Sequence, residues 1–211
     1  MIENEVNIHK KLGTREPVTP LLNANIFGSW IVLCYKLGKD GGVSSRKLRL
    51  VTQGFIQQEG IDYNNTFLPT AKLTAVWNIT AISIRNDWEL EQTHVNVAYL
   101  NASLKENIYM RQLKGFEIPG QEDKVIHLKL AIYRLRQSGC EWYEDFMSTL
   151  TNVGFKRCKV EHAMFYRFDQ DTTILAVDVD DITIATNSPR AIKQFKDNLS
   201  SRYGIKDMGS L

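Results

Sequence analysis

The sequence is short of most features that mark a secreted, membrane-embedded or fibrous protein. It has only three cysteines, Cys34, Cys140 and Cys158, far apart and odd in number. They form neither a disulfide framework nor a metal-binding spacing, so the chain is expected in a reducing interior with no disulfide partners. No apolar run is long enough to cross a bilayer. The opening Met1-Ile2-Glu3-Asn4-Glu5 lacks the basic and apolar regions of a signal peptide. An intracellular setting, cytoplasm or nucleus, with no membrane contact is the expectation. His9, His127 and His162 are dispersed, which argues against a zinc site. There is no internal repeat and no low-complexity tract. The net charge is only +2, so any surface for nucleic acid has to be local.

What is present is ordinary in bulk and unusual in one place. Hydrophobic content of 43% and charged content of 24% are those of a globular chain, and 211 residues suffice for one large domain or two small lobes. The unusual place is Ile174 to Ala185. Two β-prone arms, Ile174 to Val177 and Ile182 to Ala185, flank four residues rich in Asp. The short interval predicts a tight hairpin with Asp180 and Asp181 at or beside its turn. Adjacent carboxylates repel unless a cation neutralises them. Hard oxygen donors of this kind suit Mg²⁺. Asp is also a common turn residue, so the hairpin alone does not decide the matter.

The remaining chain is read in order. Residues 1–25 are mixed and interrupted by Pro17 and Pro20, and are expected as a linker or peripheral arm. Phe27 to Lys36 and Ser45 to Val51 are predicted strands around a Lys39-Asp40-Gly41-Gly42 turn. Lys47 and Arg49 share one face of the return strand, either as a solvated face or as a clamp on phosphates. Gln53 to Thr70 is largely loop. Leu73, Val76, Trp77, Ala81 and Ile84 then follow helical spacing as an apolar stripe, with Thr70 or Thr74 as its cap. Trp88 to Leu100 is a strand running into a turn, and Val125 to Leu130 another strand. Trp142, Tyr143, Phe146, Met147 and Leu150 mark a second amphipathic helix. A strand over Ala163 to Phe168 leads into the acidic hairpin. Ser188-Pro189 opens a last helix with Ile192, Phe195 and Leu199 inside. The order strand, helix, strand, strand, helix implies an α+β sheet with helices on one face.

With these elements placed, the chain resembles the reverse transcriptase region of copia-type retrotransposons. The carrying segments are Arg49-Leu-Val-Thr-Gln-Gly-Phe55, Gln57-Gln-Glu-Gly-Ile-Asp-Tyr63, Thr66-Phe67, Leu104-Lys-Glu-Asn-Ile-Tyr-Met110 and Gly115-Phe-Glu117. Tyr133-Arg-Leu-Arg-Gln-Ser-Gly139 with Trp142-Tyr143, Val179-Asp180-Asp181 and Ile205-Lys-Asp-Met-Gly209 follow in the family's order. One Val-Asp-Asp is weak evidence, whereas the ordered set is strong. The resemblance implies a right-hand polymerase, with fingers at about 26–85 and 104–141 and an antiparallel palm sheet at about 86–103 and 142–211. It implies RNA-directed DNA synthesis with two Mg²⁺ ions, on an RNA/DNA primer–template with dNTPs. It also implies a place in a longer Pol polyprotein, here without the thumb and RNase H.

The resemblance assigns the metal-binding carboxylates to Asp180 and Asp181 and a third to the strand before Tyr99. There the sequence departs from the pattern. In His94-Val95-Asn96-Val97-Ala98-Tyr99, His94 stands where the family has its first catalytic Asp. Neutral imidazole is a poor ligand for Mg²⁺, and the change removes a negative charge from the site. Asp178 in place of a Tyr, Cys140 in place of an Arg and Arg15 in place of a Trp also depart from the family. The expectation is a degenerate copy, catalytically impaired at His94; the alternative is a non-enzymatic nucleic-acid-binding remnant or a pseudogene product. Asp178 could share strand parity with Asp180 and stand in as the third carboxylate. By position, Tyr99 would lie under the incoming sugar and Gln137 would touch the nucleotide. Lys47 and Arg49 would hold the triphosphate, and Lys206 corresponds to a late palm lysine. For each of these the bland reading is a core aromatic, an exposed loop Gln or a solvated surface cation.

Overall fold

The computed structural model describes residues 2–38 and 40–211. In chain order the elements are helix α1 (Ile2–Lys11) and strands β1 (Arg15–Val18), β2 (Ile26–Phe27), β3 (Ser29–Leu37) and β4 (Val43–Thr52). Helix α2 (Leu73–Asn86), β5 (Glu89–Val95), β6 (Ser103–Met110), β7 (Val125–Leu130) and α3 (Ser138–Asn152) follow. The chain continues through β8 (Lys156–Arg157), β9 (Met164–Phe168), β10 (Thr172–Asp178), β11 (Asp181–Thr186), α4 (Pro189–Ser200) and β12 (Ile205–Ser210). Two compact units result. The first holds the chain up to Thr66 and Tyr99–Trp142; the second holds Phe67–Ala98 and Tyr143–Leu211.

In the first unit, β1, β7, β6 and β2 form one sheet, and β3 and β4 form a long two-stranded ribbon. The N-terminal stretch is not a featureless arm. It carries α1 and β1, and Pro17 is accommodated because β1 is an edge strand, paired only with β7. The carboxylate of Glu5 in α1 accepts the Leu50 N–H at 2.9 Å and lies 3.6 Å from His9 Nε2. Burial alone would raise the Glu5 pKa, but the nearby His9 and Arg49 and the Leu50 N–H bond hold it below the ordinary carboxylate value. The ribbon turns where the sequence predicts: Gly41 donates to Gly38 O, with a φ of +77° that glycine tolerates. Lys39, part of the predicted turn, lies outside the described residues.

The second unit is built on a six-stranded sheet in the order β12-β5-β11-β10-β9-β8, antiparallel throughout. The α+β reading holds. Helices, however, cover both faces, where one covered face was expected. Ile79 of α2 packs with Ala176, Ala185, Leu90 and Ile174 on one face. Lys196 of α4 reaches Glu91, the neighbour of Leu90, which points the opposite way along β5. Ile192, Phe195 and Leu199 of α4 are buried as predicted. Phe195 is 1% exposed and meets Phe155 edge-on at 5.4 Å; truncating such a ring costs about 3–5 kcal/mol.

Helix α2 corrects the sequence reading most sharply. Most of its predicted inner stripe faces outward: Leu73, Trp77 and Ile84 are 63%, 64% and 78% exposed, and only Val76 of that stripe packs against the sheet. The buried side is Ala75, Ile79 and Ser83, with Ile79 packed on Ala176 and Ala185 of the sheet. Neither predicted threonine caps it. Lys72 occupies the N-cap without a side-chain hydrogen bond.

Candidate metal centre

The acidic hairpin closes on two residues. β10 and β11 pair from Thr173 with Thr186 to Asp178 with Asp181, leaving Val179 and Asp180 as the connection. Such tight turns require positive φ, and Val179 has a φ of +58°. Val97, two residues beyond β5, has a φ of +47°. A β-branched side chain in that region costs on the order of 1–3 kcal/mol and is typically held only at functional sites.

β5 lies between β11 and β12. Asp181 pairs with His94, and His94 pairs with Lys206 on the other side. Residues directly opposed across antiparallel strands share a face, so Asp178, Asp181, His94 and Lys206 form one row across four strands. Backbone bonds fix the row. The Val95 N–H donates to Asp180 O at 2.7 Å, the Asn96 N–H to Gly204 O at 2.7 Å, and the Thr93 hydroxyl to Lys206 O at 3.1 Å. Lys196 clamps β5 to β12 by bridging Glu91 and Asp207. Burial would lower the Lys196 pKa, but the two carboxylates outweigh it and raise it.

At the centre, His94 Nδ1 lies 3.0 Å from Asp181 Oδ1 and His94 Nε2 lies 3.8 Å from Asp180 Oδ2. The three side chains are 25%, 48% and 33% exposed in the order His94, Asp181, Asp180, so the group opens to solvent. Their donor atoms all lie within 4.8 Å of one another, a group that could hold a metal ion. The donors do not match a pair of Mg²⁺ ions. Two such ions sit about 3.5–4 Å apart and need converging carboxylates, whereas here the third side chain is an imidazole.

Asp178 lies opposite Asp181 in the register, while the donors within 4.8 Å of one another are those of His94, Asp180 and Asp181. The other predicted residues have clear placements. Lys206 is exposed beside His94. Arg49 lies over the Tyr133 ring at 4.5 Å, and Tyr133 meets Tyr99 edge-on at 5.4 Å, a stack within the first unit. Lys47 lies two residues before Arg49 on the same ribbon face, paired with Cys34. Gln137 is not an exposed loop residue, for it is 1% exposed. It donates to Asp62 O at 2.9 Å and accepts from Gln57 Nε2 at 2.9 Å, and Gln57 in turn accepts from the Arg136 N–H. That buried network runs beside Gly54, where a Cβ would come 1.8 Å from Arg134 O. Sequence reasoning missed Gln57 and Tyr133 as structural partners, although both lie inside the quoted motifs.

Residues 22–211 match the family model described as "Reverse transcriptase (RNA-dependent DNA polymerase)". The chain belongs to that family. Its curated relatives place it among copia-type elements. The chain is 31% identical over 189 residues to the retrovirus-related Pol polyprotein from transposon RE1 of Arabidopsis thaliana, a match covering 89% of this chain. It is 34% identical over 179 residues to that from transposon TNT 1-94 of Nicotiana tabacum, covering 83% of this chain. It spans only 13% and 14% of those two polyproteins. Among solved structures, a foamy viral protease-reverse transcriptase in complex with double-stranded DNA aligns over 97% of this chain and 30% of its own, with a TM-score of 0.47 and 12% identity. No helix of this reverse transcriptase domain, among the described residues, is long and apolar enough to cross a membrane.

Proposed function

We propose that the second unit is the palm of an RNA-directed DNA polymerase and that His94 impairs its chemistry. One observation carries the reading: position 94 meets Asp180 and Asp181 in space, although 85 residues of chain lie between His94 and Asp180. Polymerase chemistry needs acidic groups from separate strands around shared cations, and β5 and β11 supply that convergence. Asp180 and Asp181 are assigned as the carboxylates that hold Mg²⁺ in the active family members, with position 94 as the third.

The first unit is assigned as fingers. The Arg49–Tyr133–Tyr99 stack offers a cation and aromatic faces, and Lys47 on the same ribbon face adds a second cation for phosphates. Gln137 holds the loop from Gln57 to Asp62 in place, a supporting role in place of direct nucleotide contact. Helix α2 belongs with the palm in this assignment, because it packs on the palm sheet. The partners are an RNA template, a DNA primer and dNTPs, within a longer Pol polyprotein.

Primer extension on a poly-A template tests the reading. The natural chain should incorporate little or no nucleotide with Mg²⁺. His94→Asp should raise incorporation about a hundredfold or more, since catalytic constellations lose orders of magnitude when one member is missing. Adding Asp180→Asn to that variant should abolish the gain. A His94→Asp protein that stays folded and inactive at saturating primer–template would overturn the assignment.

A further inference from the structure

The mismatch between the donor set and a pair of Mg²⁺ ions has a constructive side. We infer that His94, Asp180 and Asp181 form a site for a single divalent transition-metal ion of the Zn²⁺ and Co²⁺ class. The inference rests on the proposed reading only in taking Asp180 and Asp181 as the cation-binding carboxylates.

The donor chemistry points this way. One imidazole nitrogen and two carboxylate oxygens favour ions that accept both nitrogen and oxygen, whereas Mg²⁺ prefers oxygen and water. Three protein donors with the fourth position left to water is a recurrent arrangement for such ions. The spacing agrees. Two donors about 2.1 Å from a tetrahedral ion stand about 3.4 Å apart. His94 Nδ1 and Asp181 Oδ1 are 3.0 Å apart, near that spacing, and the Asp180 carboxylate, with the three donors within 4.8 Å of one another, would close in on the ion by a side-chain rotation. The 3.0 Å contact is a hydrogen bond, so an ion would take the place of a proton.

The frame supports a fixed ion. Asp181 and His94 are cross-strand partners, and Asp180 is tied through its carbonyl to the Val95 N–H. The donors therefore come from two adjacent strands and the turn, not from one flexible loop. Their partial exposure leaves the fourth position open to water. A single ion also matches the charge, because two carboxylates neutralise one dication whereas two ions would leave a net positive site.

Co²⁺ titration followed by visible absorption tests the inference on the whole chain. One Co²⁺ should bind per chain and give the intense ligand-field bands of a low-coordinate ion with a nitrogen donor. Equimolar Zn²⁺ should displace it, and about a hundredfold excess of Mg²⁺ should not. Loss of even an outer-sphere partner costs about 10- to 100-fold in metal affinity. His94→Ala should therefore weaken Co²⁺ binding by at least about a hundredfold, and His94→Gln serves as a second variant should the first fail to fold. Unchanged Co²⁺ affinity in a folded His94 variant, or displacement by Mg²⁺ at parity, would overturn the inference. Failure here is separable from failure of the polymerase reading. If Co²⁺ does not bind while His94→Asp extends primers in Mg²⁺, the polymerase reading stands and this inference falls. If Co²⁺ binds as described while His94→Asp extends nothing, the reverse holds.

Discussion

His94 and Asp181 face each other across β5 and β11, with the imidazole Nδ1 3.0 Å from the carboxylate Oδ1. The pairing register alone brings them together. A one-residue slip of β5 against β11 would turn His94 to the opposite face of the sheet. The site is therefore a property of that register, which the Val95 N–H to Asp180 O bond at 2.7 Å helps to fix.

The hairpin turn carries a cost that can be measured. Val179 sits at a φ of +58°, where a β-branched side chain is strained and glycine is not. Val179→Gly should stabilise the chain by about 1 kcal/mol in urea unfolding, the relief of strain exceeding the extra entropy of the unfolded chain. A loss of stability of similar size would show that Val179 packing outweighs its backbone strain.

Helix α2 gives a prediction opposite to the one its sequence stripe invites. Trp77→Ser should change stability by less than about 0.5 kcal/mol, because Trp77 is 64% exposed. Ile79→Ala should cost about 2–5 kcal/mol, because Ile79 is fully buried against Ala176 and Ala185. Equilibrium denaturation of the two variants would distinguish the faces, and the reverse ranking would contradict the fold.

That helix shows where the sequence was legible and where it was not. Strand β7 falls at Val125–Leu130 as read, and the buried face of α4 is the one its spacing implies. Those segments have one apolar face and so one solution. Helix α2 is apolar on two sides, and only packing against a sheet chooses between them. Periodicity also overlooked β12, whose Lys206, Asp207 and Gly209 look like loop until β5 pairs with it. The Asp180 and Asp181 carboxylates were readable because their side-chain chemistry is local. The burial of Gln137 and the left-handed Val97 and Val179 depend on distant partners and pairing, and no local pattern reports them.

Glu5 supplies a pH test. Its folded pKa lies below the ordinary 4.5, held down against burial by the His9 imidazole 3.6 Å away and the Leu50 N–H bond. A depressed carboxylate contributes stability that is present above its unfolded value and lost as pH falls through the folded one. Glu5→Gln should therefore be less stable than the natural chain near neutrality. The gap should close as pH falls below about 4.5, in urea midpoints measured from pH 7 to 3. A gap that stays constant over that range would remove the charge from the account.

Primer–template binding tests the first unit. Removing one cation that neutralises a phosphate lowers the magnitude of the slope of log K against log salt by about 0.9. Lys47→Ala should lower it by about that amount with little loss of stability. Arg49→Ala should lower the slope similarly and also destabilise the unit, because its guanidinium packs on Tyr133. Slopes unchanged in both variants would take the ribbon out of the nucleic-acid interface.

The central proposal is that an acidic residue at position 94 would complete a two-cation polymerase site with Asp180 and Asp181. Anomalous scattering from crystals of His94→Asp soaked in Mn²⁺ tests it most directly. The account predicts two Mn²⁺ peaks about 3.5–4 Å apart against Asp180 and Asp181. An empty site, a single peak, or peaks away from those carboxylates would contradict it.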